Sequence, residues 1–458
     1  MRILRDNKFR IIGGLIMVIF SHSKHSKINL SILLIVLIVT VVLSPFSLNN
    51  EIHASETLSL NLAECIKIAL ENNLGYRIAA SSVEVKEEQV KEAKGASKIN
   101  AKFQGGYIRM NEAPDVESIA QGDFSYLFSS GYGVPLISVN ITKVLYSGGK
   151  LDTLVEQAEA QQTIALNELE QKKQEIVYQV TQAYYGILQA EGLKRVSEQA
   201  LTQIRAHLET AQSLLAAGMI APIDLNRIKS QLSNLEHNLI RAENGYDLAV
   251  YNLNSVMGIE LETKIQLEDN LSYEANEITL EEALESARLY RPEIQNISLQ
   301  KFIMEGLVDI AKSNKKPQVV MSMESGLTGW QVAVIGEVPI FDGGVNKAKI
   351  KQAELNLSQV DQSEEQIEQL IEFEVRSAYL KMKEAEKLIK VTEQGIIDSQ
   401  ESFRIAQVKY NEGIATNTEV IDAQSALIEA ETNHLAALYN YNTNQAALIK
   451  AMGLIGRN

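Results

Sequence analysis

Two long stretches of the chain carry helical periodicity. Between Lys150 and Ala217, apolar or small residues recur at 151, 154, 158, 165, 169, 176, 180, 183, 187 and onward to 215, with no proline in the run. That is the 3.6-residue repeat of an amphipathic helix. A helix of such length extends ~100 Å at 1.5 Å per residue. A rod like this buries its stripe only against neighbours along its whole length, as in a coiled coil or a helical barrel. The run Ala217-Gly218-Met219-Ile220-Ala221-Pro222-Ile223-Asp224 ends it as a hairpin tip. Gly218 suits a helix C-terminus, and Pro222 or Asp224 suits the next N-terminus, with a second helix to about Met257. Elsewhere the pattern alternates. Val319, Met321 and Met323 oppose Gln318, Ser322 and Glu324, with Val320 as the exception, and Trp330, Val332 and Val334 oppose Gln331 and Ala333. Phe103 and Tyr107 alternate with Lys102 and Gln104, and Ile137 and Val139 with Ser138 and Asn140. Period two with one apolar face predicts strands.

The pattern occurs twice. Ser147-Gly148-Gly149 recurs as Asp342-Gly343-Gly344, 195 residues on, and the same offset aligns Gln157-Ala158-Glu159 with Gln352-Ala353-Glu354. It also aligns Gly218 with Gly413 and Met257-Gly258 with Met452-Gly453, which predicts a second tip at Glu412-Gly413-Ile414-Ala415-Thr416-Asn417. Upstream, Leu60-Asn61-Leu62-Ala63-Glu64 matches Ile278-Thr279-Leu280-Glu281-Glu282 at an offset of 218. The first copy therefore holds 23 extra residues, expected as a long loop within Gly105 to Tyr132. Each copy reads helix, two strands, long helix, turn, helix. The expected organisation is a signal region at 1–54 and two intertwined repeats at 55–258 and 259–458.

Composition changes the picture mainly at the N-terminus. Ile28 to Leu43 is uncharged and apolar-rich, follows Lys24 and Lys27, and precedes turn-like residues and Ile52-His53-Ala54. That order is a secretory signal. An uncleaved anchor is the alternative, although the run is short for a spanning helix. A second apolar run, Ile11 to Phe20, would be explained if translation begins at Met17.

The net charge of −15 divides into +4 over the first 54 residues (six basic, two acidic) and −19 after them, which excludes a basic nucleic-acid surface. A single cysteine, Cys65, excludes an intramolecular disulfide, and Glu64 before it is wrong for lipoprotein processing, so it reads as a buried helix cysteine. His207, His237 and His434 are scattered, so no metal or other cofactor is expected. Gly148-Gly149-Lys150-Leu151 lacks the Ser or Thr of a phosphate loop, and no Ser/His/Asp arrangement is present, so an enzyme is not expected. A secreted chain whose strands are apolar on one face fits lipid outside and water inside. Four strands cannot close a membrane barrel, and an open edge in lipid leaves backbone groups unpaired, so several chains would have to share one barrel.

The sequence resembles the TolC family of outer-membrane efflux ducts. The likeness rests on the opening of each half, on strands ending in Tyr146-Ser147-Gly148-Gly149 and Phe341-Asp342-Gly343-Gly344, and on the tips. The most specific element is Tyr410-x-x-Gly413 followed by Glu419-Val420-Ile421-Asp422-Ala423-Gln424, and the likeness runs from Thr57 to Gly453.

The resemblance implies a mainly α fold with a small membrane β portion. A homotrimer would form a 12-stranded β-barrel in outer-membrane lipid, continued by a periplasmic α-helical barrel. It would be a passive exit duct of a tripartite efflux or type I secretion system. Its tips would dock to a periplasmic adaptor linked to an inner-membrane transporter. Glu419 and Asp422 match acidic positions that line the periplasmic constriction, although helix-end acids are also favoured by the helix dipole. Gly218 and Gly413 mark the tips. Asp224 and Tyr410 match positions that tie the hairpins in the closed state. Ala415 replaces the family's basic partner and Ile223 a polar residue, which implies a different or weaker tie. The competing reading is a periplasmic coiled-coil adaptor or scaffold without a membrane barrel.

Overall fold

The computed structural model describes residues 58–109, 133–326 and 329–457. The first half runs β1 (Leu58–Leu60), α1 (Leu62–Asn72), α2 (Leu74–Ala96), β2 (Asn100–Arg109), β3 (Gly133–Tyr146), α3 (Lys150–Ala216) and α4 (Pro222–Met257). The second runs β4 (Ile265–Leu267), α5 (Leu280–Tyr290), α6 (Pro292–Ser313), β5 (Gln318–Gly326), β6 (Gly329–Glu337), α7 (Val345–Asn411) and α8 (Asn417–Ala451). The signal region lies outside the described residues. Residues 105–109, expected in sequence within the long loop, belong to strand β2, and the rest of that loop, residues 110–132, lies outside the described residues.

The two longest helices, α3 and α7, have 67 residues each and start 195 residues apart. The one helix that the sequence predicts before each strand pair is two helices. Asn73 breaks the first by capping α2, its Oδ1 accepting from the amides of Gly75 (2.9 Å) and Tyr76 (3.2 Å). Pro292 breaks the second, since its ring holds Arg291 extended at φ −69°, ψ 120°. The entries of α1 and α5 share one device. Asn61 and Glu64 form a reciprocal capping box, and Thr279 and Glu282 form another.

Antiparallel strands are ordered β2-β3-β5-β6. Their register places Phe103, Val139, Ser325 and Trp330 in one cross-strand row, followed by Ala101, Ile141, Met323 and Val332 on the same face. The row Lys102, Asn140, Glu324 and Gln331 lies on the opposite face, where Gln331 Nε2 donates to Glu324 Oε2 at 3.0 Å. The alternation read from the sequence thus becomes one apolar face and one that is polar in its middle rows, with Val144, Val320 and Ile335 forming an apolar row at its helix end. The chain leaves the apolar one open: Phe103 is 70% exposed, Tyr107 69% and Trp330 73%. The outer edges of β2 and β6 pair with no described strand.

Below the sheet, α6 lies between the long helices. Gln157 of α3 donates to the Ile303 carbonyl (2.9 Å), while Lys301 reaches Asp361 (2.9 Å) and Glu364 (3.0 Å) on α7. Midway along the hairpins sit two apolar cores. One holds Cys65, Ala69, Ile176, Val180, Leu253 and Met257, and the other holds Ala283, Ala287, Ile371, Val375, Leu448 and Met452. Burial pushes the Cys65 thiol up to about 12, with the Glu64 charge adding to the effect, so it packs as an inert apolar group.

Two glycines with the same backbone separate conformational from steric cost. Gly453 (φ +74°) would place a Cβ 2.7 Å from the Tyr290 carbonyl carbon, whereas Gly413 (φ +75°) has nothing within 4 Å of that position. Gly413→Ala should cost about 1–2 kcal/mol from the left-handed backbone alone. Gly453→Ala should cost a further ~1–3 kcal/mol because the α5–α6 junction must move. Equal losses in thermal midpoint would refute the packing argument.

Candidate gate at the hairpin tips

Both hairpins close by the same local chemistry. After α3, the Gly218 amide donates to the Leu215 carbonyl and the Met219 amide to Leu214, each at 2.9 Å. After α7, Gly413 donates to Tyr410 and Ile414 to Lys409, again at 2.9 Å. This is the Schellman arrangement, and it needs the left-handed backbone that Gly218 (φ +73°) and Gly413 (φ +75°) supply. The re-entries differ. Pro222 opens α4 with no side-chain cap. Thr416 caps α8 in a box with Glu419, whose carboxylate accepts from the Thr416 amide (3.2 Å) and hydroxyl (3.0 Å).

A buried polar node joins all four helices at this end. His207 of α3 meets Asn417 of α8, Nε2 to Oδ1 at 2.8 Å, and Asn417 Nδ2 donates to the Asp224 carbonyl of α4 at 3.3 Å. The Tyr410 ring of α7 tilts against the His207 ring with centroids 4.6 Å apart. Arg227 adds an α4–α8 link by donating to the Thr418 hydroxyl at 3.0 Å.

The residues singled out in sequence fall around this node. Asp224 joins it through its backbone carbonyl. Tyr410 is buried, and its hydroxyl has no hydrogen-bond partner among the described residues; burial, with the Asp224 charge behind it, raises its pKa. Ala415 is half-buried beside an apolar cluster of Phe403, Tyr410, Val420 and Leu427. Glu419 and Asp422 are both exposed and one helical turn apart. Sequence reasoning missed His207 and Asn417 as a pair. They lie 210 residues apart, and only an unexplained histidine on an apolar helix face pointed to them. Among the described residues no cluster of His, Cys, Asp and Glu is arranged to hold a metal.

A family model described as "Outer membrane efflux protein" matches residues 65–259 and 283–454, most of the chain. The chain belongs to the outer membrane efflux protein family. Among curated relatives it is 23% identical over 384 residues to the outer membrane protein TolC of Escherichia coli (strain K12), covering 76% of this chain and 77% of that protein. It is 22% identical over 421 residues to the TolC of Vibrio cholerae, covering 86% and 91%. Its fold is similar to that of a Pseudomonas aeruginosa membrane protein (TM-score 0.77, 17% identity, 87% of this chain and 91% of that one). It is also similar to CusC (TM-score 0.75, 16% identity, 87% and 93%). As an outer membrane efflux protein it belongs to the outer membrane, and the structurally similar OprN is an outer-membrane channel.

The tip of this efflux protein carries a pH dependence of known sign. Burial lowers the pKa of His207, opposed by its hydrogen bond to Asn417. The unfolded state then binds the proton more readily. The node's stability is complete above the ordinary histidine pKa of about 6.5 and is lost as pH falls through the folded value. Proteolysis at the tips should be faster at mildly acidic than at neutral pH, and His207→Gln should flatten that difference. An unchanged pH profile in the variant would show that another group titrates.

Proposed function

We propose that this protein is the trimeric exit duct of a tripartite efflux or type I secretion system. Each chain would contribute four strands to a 12-stranded barrel and its hairpins to a periplasmic α-helical barrel. This rests on the four-stranded sheet with an open apolar face and two edges that pair with no described strand, continuous with helices of 67 residues. Strands of 9 to 14 residues are long enough to cross a bilayer. Edges in lipid must be paired, and three copies give twelve strands, above the usual minimum of eight. The reading of the chain as two structural copies is supported by element starts and core positions that repeat at 195 or 218 residues. A periplasmic adaptor or scaffold would have no use for the open apolar sheet face, so the duct is the better reading.

The tips would dock to the periplasmic adaptor, itself linked to an inner-membrane transporter. In the closed state Glu419 and Asp422 would face the lumen, giving six carboxylates around one opening, a ring that favours cations. Where the family has a basic residue this chain has Ala415, and the His207–Asn417 node would hold the closed tip instead. The duct performs no chemical step and needs no cofactor.

The purified protein should run as a heat-labile trimer in detergent. A stable monomer with an intact β signal by circular dichroism would overturn the shared barrel. The gate needs variants that spare the capping box. Glu419→Gln with Asp422→Asn keeps the hydrogen bonds to Thr416 and removes the charge. Cation selectivity in a planar bilayer should fall, and block by multivalent cations should weaken. Unchanged selectivity would leave both residues as helix-end acids.

A further inference from the structure

All four junctions between sheet and helices lie at one end of the sheet. There α2 and α6 lead into β2 and β5, while β3 and β6 lead into α3 and α7. These junctions are strongly basic in an acidic protein. Segments 94–102, 143–152, 312–318 and 338–351 contain eleven of the chain's 43 lysines and arginines and only two acids, Asp152 and Asp342. Asp342 is engaged as the cap of α7, accepting from the amides of Gly344 (2.9 Å) and Asn346 (2.8 Å). Lys94, Lys312 and Lys351 have carboxylate partners. Lys98, Lys143, Lys150, Lys315, Lys347 and Lys349 have no salt-bridge partner among the described residues.

Apolar side chains at the same level are exposed. Ile340 is 98% and Phe341 90% exposed, and Leu145 and Tyr146 about half. Lys143 fixes which side of the sheet the charge serves. It is aligned across the strands with Met321 and Val334, on the same face as Phe103 and Trp330. It sits at the helix end of that face, where a lysine stem can lie along lipid while the ammonium reaches the headgroups.

We propose that these junctions form a lysine collar that binds the phosphate headgroups of anionic phospholipid in the leaflet next to the helices. The inference rests on the sheet spanning lipid, as in the duct reading. Lysines near an anionic membrane surface attract it additively, while the exposed aromatic and aliphatic groups seat at the interface. Carboxylates at this level, Glu159, Asp309, Glu337 and Glu354 beside Asp152 and Asp342, are outnumbered by the eleven lysines, while the chain as a whole is acidic.

The test is native mass spectrometry of the full-length trimer in mixed micelles holding equal phosphatidylglycerol and phosphatidylcholine of matched chains. Phosphatidylglycerol should be retained with at least about a tenfold preference, the scale expected from one to two lysines at an anionic surface. That preference should weaken in about 1 M salt, where the screening length is ~3 Å. It should survive Lys→Arg changes at 143, 315, 347 and 349 and fall toward equality with Gln at those positions. Lys143→Gln and Lys349→Gln singly should each lower it in part, which keeps the test open if the fourfold variant misassembles. Equal retention of the two lipids by the wild-type trimer would overturn the collar while leaving the duct intact. So would competition by glycerol phosphate equal to that by the lipid, or Gln variants that change ion selectivity but not lipid retention. A monomer lacking a β signal would instead overturn the duct.

Discussion

The backbone groups along β2 and β6 set the strongest constraint on this molecule. Each edge of the sheet presents amides and carbonyls that the described chain leaves unpaired, beside a face of Phe103, Tyr107, Trp330, Val332 and Val334 that it leaves uncovered. An unpaired edge is tolerable in water and very costly in hydrocarbon. In the proposed duct, these edges, the apolar face and the long rods beneath them would be satisfied together by assembly of identical chains in a membrane.

The helical part solves a different problem with the same economy of parts. Helices of 67 residues have too much surface for one compact core. The chain instead distributes burial over separate apolar clusters along the hairpins and ties the rods together at intervals. Some ties are polar and buried, such as Gln157 on the Ile303 carbonyl and Gln424 on the Ala200 carbonyl. A buried amide that finds a partner fixes register in a way that sliding apolar stripes do not. The node of His207, Asn417, Tyr410 and the Asp224 carbonyl is the last of these ties, placed where the hairpins end.

That node also changes the roles expected of single residues. Glu419 sits in a capping box, so its carboxylate has a local structural task in addition to any task at the lumen. Ala415 lies beside an apolar cluster, and the polar contact at this helix entry is made by Asn417. Asp224 acts in the node through its backbone, which makes its side chain dispensable for that bond.

The elements were readable along the chain, because periodicity and punctuation are local. The 3.6-residue stripe from Lys150 onward, the glycines at 218 and 413 and the alternation at 319–323 and 330–334 each reflect short-range sterics and hydrogen bonding. Even the matching starts of α3 and α7 were legible as a fixed offset. The family was legible for the same reason, since order and spacing carry it.

Which distant residues meet is set by the packing of the elements. No local rule pairs His207 with Asn417, nor assigns Gln157 to a carbonyl 146 residues away. The helix breaks at Asn73 and Arg291 also stayed hidden, since the apolar pattern continues through them and only the cap geometry and the proline ring turn the chain. Register across β3 and β5, which puts Lys143 at the end of an apolar face, depends on strands more than 170 residues apart. Such contacts are set by how the elements pack together, and periodicity within one element contains no information about its neighbour.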